Sequence, residues 1–401
     1  MFTAPTQKLE AWKFTPLARA IQLLQNTPPC TNLMALEECL PVTNGTQLVF
    51  HNGTLVPQLS QATSLPTGLT LTHTTNAEKH SPERDSLDTL PTPTHTLTIT
   101  QSLQQPLHIL HLASGNNSAN RLHITLAENT HATVTEHHIA PSGTNTWHHL
   151  TTHITLAKNA HLTHSTIQTL PPQSLLTRRT HLHLEPNAQA HTHTLQAGGN
   201  LARTELHTTL TEACHFHHTA LTLGTAEQTL DTTLTTTHTG ENNQTHIRNR
   251  NLLTGSAHAI FQGKFYVAQA AQKTNAYMHC HNLLLSDTAR TSHKPELEIY
   301  ADDVKCSHGA ATGGLNPLQL FYLQARGLNP QAARALLVQG YADEFIQQFP
   351  THLHQQLNQT LHHWLHGTPE EPKIDFGTLQ GEWLNDNPVP FKVIQGTPAD
   401  E

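Results

Sequence analysis

The sequence contains little charge and no long hydrophobic run. Only 12% of its 401 residues are charged, about half the usual share. The formal net charge of −8 provides no basic surface for a nucleic acid. No apolar run approaches the roughly 18 residues that a membrane helix needs, and the opening stretch MFTAPTQKLEAWKFTPL lacks the features of a secretory signal. We therefore expect a cytoplasmic protein that binds neither nucleic acid nor a membrane.

Cysteine is also scarce. The five cysteines form no CxxC pair and are scattered along the chain at Cys30, Cys39, Cys214, Cys280 and Cys306. This pattern argues against a disulfide framework and against a zinc or cluster site built from this chain alone. The sequence has no GxxxxGK[ST] motif either, so we do not expect this chain to hydrolyse ATP itself.

Histidine and threonine occupy many of the polar positions that charged residues usually fill. Most of the 35 histidines lie in threonine-rich alternating segments, where we interpret them as polar residues on solvated strand faces. A histidine-rich protein that binds metal ions is the alternative. Protonation of many imidazoles would make the net charge strongly positive, so stability should fall on acidification.

Four segments in the middle of the chain repeat one pattern. HITLAENTHATVT, HITLAKNAHLTHS, HLHLEPNAQAHTH and HTTLTEACHFHHT align without gaps, and their leucines are spaced 30, 28 and 26 residues apart at Leu126, Leu156, Leu184 and Leu210. Such a period is typical of stacked repeats, and the alternation within each segment predicts strands. We predict a mainly β fold, a right-handed parallel β-helix over residues 91–310. A β-sandwich with long hairpins is the alternative.

Helical regions are predicted at both ends of this solenoid. Residues 1–90 read as an N-terminal helical region and a linker, with helices at LARAIQLLQ and NLMALEECL and a strand at QLVFHNGTLV. Residues 311–367 read as a C-terminal helical domain, and residues 368–401 as an extended tail.

The C-terminal helices have recognisable ends. Two of them begin with Asn-Pro, so Asn316 and Asn329 are predicted N-caps, and the first helix should end at Gly327. On the second helix, we predict a stripe that includes Leu336 and Tyr341. A third helix repeats leucine every four residues from Leu353 to Leu365.

The stretch DDVKCSHGA, residues 302–310, is the main candidate site. On an extended strand, Cys306 and His308 lie on the same face, about 7 Å apart. Thiolate and imidazole are both iron and cluster ligands. Two donors do not complete a four-ligand site, so the pair indicates a site shared with a second chain. A thiol with a lowered pKa and an inert buried cysteine are the alternatives.

The stretch YMHCHN contains weaker metal candidates. His279 and His281 share one strand face, whereas Cys280 points to the opposite face.

Two stretches resemble a known family. LEIYADDVKCSHGAATGGLNPLQLFYLQARGL is similar to the C-terminal signature of SufD-type subunits of the Suf iron–sulfur cluster assembly complex, and EAWKFTPL is similar to the motif that opens such chains. Ala311 and Gly313 depart from the common pattern. At the position of KCSHGA, the similar motif of SufB-type chains contains a glutamate instead. This chain therefore looks like the D-type subunit.

The resemblance implies a function and partners. It implies a non-catalytic scaffold that forms a heterodimer with a SufB-like paralogue through the β-helix, with a SufC-like ATPase on the C-terminal helical domain. A transient cluster would form at the interface, with Cys306 and His308 as the contribution of this chain, and reduced flavin is a further expectation for the complex. Candidate ATPase contacts are Tyr322, Arg326, Tyr341 and Phe345, for which packing within the helical domain is the alternative. A polysaccharide-acting β-helix enzyme is a weaker alternative, since neither a secretion signal nor clustered acidic residues are evident.

Overall fold

A computed structural model describes residues 4–24, 28–62, 64–74, 87, 90, 92–115 and 117–366. The predicted tail, residues 368–401, lies outside the described residues. So do most residues from 75 to 91, which form the last part of the predicted N-terminal region and linker. None of the helices in the described ranges has the length and apolar character that crossing a membrane requires.

Two long sheets make up most of the described chain. Sheet A has ten strands: β1 (Thr46–His51), β2 (Thr54–Leu55), β5 (Leu107–Leu112), β7 (His131–Ile139), β9 (His161–Gln168), β11 (Gln189–Ala197), β13 (His215–Gly224), β15 (Gln244–Leu253), β17 (Asn275–Leu284) and β19 (Lys305–Gly313). Sheet B has nine: β3 (Leu69–Thr74), β4 (Thr94–Ile99), β6 (Asn117–Leu126), β8 (Trp147–Leu156), β10 (Leu175–Leu184), β12 (Leu201–Leu210), β14 (Thr229–His238), β16 (His258–Val267) and β18 (Arg290–Ile299).

The chain alternates between the two sheets and winds into a parallel solenoid of about eight turns. From β4 onward, each strand pairs in parallel with the strand two positions later in the chain. The antiparallel pairs are β1–β2 and β3–β4, at the N-terminal end. The predicted parallel β-solenoid is therefore confirmed, and the hairpin-based sandwich is not the fold.

The repeat seen in the sequence is the register of sheet B. The four leucines at positions 126, 156, 184 and 210 are direct partners on neighbouring strands, and all four are fully buried in the core between the sheets. Their spacing therefore corresponds to one turn of the solenoid.

Asparagines form the turns that follow these strands. Asn129, Asn159 and Asn187 have φ values of 58°, 58° and 61°, in the left-handed region that asparagine adopts more readily than most residues. The side chain of Asn159 donates a hydrogen bond to that of Asn129, at 2.9 Å. The short breaks AEN, AKN and EPN in the sequence are these turns.

The histidines occupy both faces of the strands, which corrects the expectation that they mainly lie on solvated faces. On the outer face of sheet B, consecutive rings are stacked with centres 4.9, 4.8 and 5.3 Å apart; these are His123, His153, His181 and His207. Others are buried between the sheets, among them His138, His148, His164 and His218. Because threonine and histidine alternate on both faces, the pattern did not distinguish inside from outside.

Five α-helices are described: α1 (Leu17–Leu23), α2 (Leu33–Glu37), α3 (Pro317–Ala325), α4 (Pro330–Ile346) and α5 (His354–His366). Short 3-10 helices lie at Glu10–Trp12, Pro57–Leu59 and Thr351–Leu353. The helices at the N-terminal end are short. The strands that follow them belong to the solenoid sheets, β1 and β2 to sheet A and β3 to sheet B. The predicted helical regions at both ends are thus seen in part.

The predicted helix ends are confirmed. The side chain of Asn316 accepts a hydrogen bond from the N–H of Leu318 at 2.9 Å, and that of Asn329 accepts one from Ala332 at 2.8 Å. Gly327, with φ at 95°, follows the end of α3. Each cap satisfies a backbone donor that a helix otherwise leaves free.

Helices α4 and α5 pack on the outer face of sheet A. The predicted leucine series of the third helix is buried there, against apolar residues of β9, β11, β13 and β15. The predicted stripe of α4 is partly wrong: Leu336 is exposed, whereas Val338 and Ala342 are buried. Helix α4 is therefore rotated relative to the prediction.

Candidate functional site

The candidate site lies on β19, the last strand of sheet A. This strand pairs with β17 on one side, and no described strand pairs with its other edge. Cys306 is the direct partner of Ala276, and His308 that of Met278. The site therefore belongs to an open end of the solenoid.

Both side chains point toward the interior side of the sheet. Their partners Ala276 and Met278 are fully buried in the core, which fixes the face to which this register position belongs. Cys306 is half-buried and packs against a small apolar cluster that includes Val267 and Ala271, whereas His308 is exposed because no described turn covers it. The prediction that Cys306 and His308 share a strand face is confirmed.

The thiol of Cys306 is not activated by its surroundings. Burial raises its pKa, and a hydrogen bond from the backbone of Ala276 only partly opposes this. The surroundings of Cys306 within this chain therefore do not favour the thiolate, as the alternative of a lowered pKa would require. A metal ion would bind the thiolate and displace the proton, as metal binding generally does with cysteine.

Sequence reasoning missed a third side chain at this end. His293 on β18 is the direct partner of Phe261, a core residue, so it also faces the interior. Its Nε2 lies 2.6 Å from the side-chain nitrogen of Asn282, and burial lowers its pKa. The sequence signal that could have placed His293 inward was strand alternation, since Leu297 lies four residues later on the same strand and faces the interior. Across the described ranges, no three His, Cys, Asp or Glu side chains are placed to hold a metal ion together.

The weaker candidates on β17 are not brought together. Cys280 is buried in the core, where burial raises its pKa to about 12 and the amide of Asn249 donates a hydrogen bond to its sulfur. His279 and His281 lie on the opposite face, with ring centres 6.4 Å apart.

The four candidate partner contacts fall into two pairs. Tyr322 and Arg326 lie on the surface of the α3 region, with the guanidinium 5.2 Å from the ring centre. Tyr341 and Phe345 instead pack on sheet A, where the guanidinium of Arg250 lies 4.0 and 4.1 Å from their ring centres. Since Phe345 is only 1% exposed, it offers no surface to a partner.

Comparison with known proteins identifies the family to which the chain belongs. The profile described as "SUF system FeS cluster assembly, SufBD core domain" matches residues 109–341, more than half of the chain. The chain belongs to this family of iron–sulfur cluster assembly proteins.

Individual members of this family show how far the similarity extends along the chain. The chain is 30% identical to the iron–sulfur cluster assembly protein SufD of Escherichia coli over 372 residues, which cover 86% of this chain and 85% of SufD. It is 31% identical to an iron–sulfur cluster assembly SufBD family protein of Synechocystis over 86% of this chain and 84% of that protein. The chloroplastic protein ABCI7 of Arabidopsis thaliana is 36% identical over 47% of this chain and 40% of its own length. The predicted homology to SufD is therefore confirmed.

Proposed function

We propose that this chain is a non-catalytic scaffold subunit that pairs with a SufB-like paralogue and contributes Cys306 and His308 to a shared site of cluster assembly. The cluster is the product that the complex builds and passes on. The observation that carries the proposal is the position of both ligands on an edge strand at the open end of the solenoid.

The free edge of β19 supports pairing with another chain. An edge strand presents unpaired backbone N–H and C=O groups, which form a template for a further strand. The other terminal strand, β18, contains Pro295, which cannot donate a backbone hydrogen bond. Strand β19 has no proline, so we propose that the partner docks along β19.

The ligand count also supports a shared site. An iron–sulfur cluster is normally held by four cysteine ligands, some of which histidine replaces in certain centres. Cys306 and His308 provide two donors, and His293 faces the same end from the opposite sheet. A partner that supplies the remaining ligands would complete the coordination and cover the exposed imidazole of His308.

A SufC-like ATPase would dock on the exposed apolar side of α3 and α4. Leu318, Phe321 and Tyr322 are exposed on α3, as is Leu336 on α4. Exposed apolar residues that cluster in this way mark interaction surfaces. The contacts of Arg250 with α4 connect this surface to sheet A, so a movement of the helices would reach the solenoid.

Anaerobic affinity purification of the tagged chain from its own cells tests the scaffold function. We expect SufB- and SufC-like chains, iron and sulfide to co-purify with the wild type. A Cys306→Ala/His308→Ala variant should keep the partner chains and lose the cluster. The matched control is His279→Ala/Cys280→Ala, which alters one imidazole and one thiol on the neighbouring strand and should retain the cluster.

Two results would contradict the proposal. If the wild-type chain emerges without partners but with several metal ions, the histidine-rich metal-binding alternative is favoured. If the control variant loses the cluster as completely as the Cys306→Ala/His308→Ala variant, the ligands have been assigned to the wrong strand. Flavin binding and a cytoplasmic location stay predictions, which the flavin content of the eluate and cell fractionation would check.

The docking surface has its own test. Phe321→Ala should reduce the ATPase chain in the eluate while leaving the SufB-like chain. Met34→Ala changes an equally exposed apolar residue on α2 and should leave both. Equal ATPase recovery with Phe321→Ala and the wild type would place the ATPase elsewhere.

A further inference from the structure

Three buried histidines meet inside the solenoid, several turns from the open end. His111 on β5 is the register partner of His138 on β7, and His148 lies on β8 of the opposite sheet. The ring centres of His111 and His138 are 5.1 Å apart, those of His111 and His148 5.9 Å, and those of His138 and His148 5.6 Å. All three side chains are at most 1% exposed.

Most of their ring nitrogens lack a hydrogen-bond partner among the described residues. This holds for both nitrogens of His138, both of His148 and Nδ1 of His111. The hydroxyl of Ser118 and the amide of Asn120, on the strand beside His148, are likewise buried without a partner in the described ranges. A buried polar group without a partner is destabilising. So many at one place indicate a bound polar ligand, either water or an ion.

Glu136 orients one of the three rings. Its carboxylate lies 3.1 Å from Nε2 of His111, and it also contacts His164 at 2.7 Å and Arg178 at 2.9 Å. The same carboxylate is paired with the guanidinium of Arg178, which can only donate hydrogen bonds. An ionised carboxylate only accepts hydrogen bonds. His111 therefore donates through Nε2, and Nδ1 keeps a free lone pair.

We propose that His111, His138 and His148 form a buried site for a divalent first-row transition-metal ion, with Glu136 as the positioning residue of His111. Neutral imidazole suits such ions, and a carboxylate behind a ligating histidine is their usual support.

The spacing of the rings fits a metal ion. With metal–nitrogen bonds of about 2.0–2.1 Å, the centres of imidazoles arranged tetrahedrally around one ion lie about 5 Å apart, close to the distances observed here. The present rotamers of the described residues bring no three donors together on one point. Binding therefore requires the rings of His138 and His148 to turn about their side-chain bonds, whereas His111 stays on Glu136 and the strands remain in place. An ion held in this way would link sheet A to sheet B.

Cobalt(II) serves as the probe, with the whole chain carrying Cys306→Ala/His308→Ala so that the end site does not contribute. After removal of bound metal by a chelator, Co²⁺ is titrated in the presence of a competitor that keeps it from exposed histidines. We expect one tightly bound equivalent, with three imidazole nitrogens and no sulfur in its X-ray absorption spectrum. His148→Gln in this background should weaken binding at least tenfold.

His218→Gln is the matched control, since His218 is also buried between the sheets and has an unpartnered ring nitrogen among the described residues. It should leave the affinity unchanged. The proposal is overturned if no tight equivalent binds, if fewer than three imidazoles surround the ion, or if both substitutions weaken binding equally. The X-ray absorption spectrum of the chain that keeps all three histidines tests the ligand set even if a histidine variant fails to fold. None of these readouts depends on partner chains or cluster formation, so they are independent of the proposed function.

Discussion

Lowering the pH from about 7 to 5 should unfold this chain, because several buried imidazoles become protonated only after unfolding. Burial lowers the pKa of His137, His148 and His218 to about 3 and that of His238 to about 4. The same side chains titrate near 6.5 in an unfolded chain. Between these values the unfolded chain binds more protons, so the free energy of unfolding falls as the pH decreases through this window.

The magnitude follows from the pKa difference. Each pH unit below 6.5 costs about 1.4 kcal/mol per histidine, so at pH 5 each one costs about 2 kcal/mol. The four together cost about 8 kcal/mol at that pH, comparable to the 5–15 kcal/mol of stability of a typical domain. Glu136 and Glu205, whose pKa values are held well below normal by neighbouring arginines and histidines despite burial, add a further loss at lower pH.

Proton uptake on unfolding is the direct assay. Metal-free protein is mixed with concentrated urea in unbuffered solution at about pH 5.5, and the acid needed to hold the pH is measured. The unfolded histidines are then about nine-tenths protonated, so the four named above take up between three and four protons per chain. Burial also lowers the pKa of four further histidines to about 4, namely His108, His193, His217 and His258. We therefore expect a total uptake of about seven protons. His218→Gln should lower the uptake by about one. An uptake below one proton per wild-type chain would refute the reasoning, because it would mean that these imidazoles already carry protons in the folded state.

Two further predictions concern packing and can be checked by urea denaturation. Gly263→Ala should destabilise the solenoid by about 1–3 kcal/mol, because a Cβ there would overlap the sulfur of Met278. Gly340→Ala, within α4 and with open space around it, should instead stabilise the chain by about 0.5–1 kcal/mol; destabilisation by Gly340→Ala would contradict this. Leu361→Ala should cost about 2–5 kcal/mol, since Leu361 is buried between α5 and sheet A. Leu336→Ala, on the exposed side of α4, should change stability by no more than about 0.5 kcal/mol, and equal losses for the two leucines would refute this account of helix packing.

Local patterns predicted the elements well because each depends on neighbouring residues. The leucine spacing from Leu126 onward corresponds to one turn of the solenoid, and Asn316 and Asn329 cap their helices as their sequence context indicated. The shared face of Cys306 and His308 also followed from local geometry, since side chains two residues apart on a strand point the same way.

Several features were beyond the reach of local patterns. The direction in which α4 turns Leu336 depends on how Arg250 holds Tyr341 and Phe345, and Arg250 lies on a strand far away in the sequence. Likewise, the residues around His293 in the sequence do not indicate that it lies at the same open end as Cys306. The two side chains are on different sheets, and they come to the same end only because the sheets face each other across the interior.

Periodicity, helix capping and contiguous motifs were enough to predict the parallel solenoid, the helix ends, the cysteine–histidine pair and the family from the amino-acid sequence. The folded structure was needed to show which histidines are buried, which end of the solenoid is open and which carboxylate orients His111. Alternating threonine and histidine make both strand faces chemically similar. The difference between inside and outside arises only when the second sheet covers one of them.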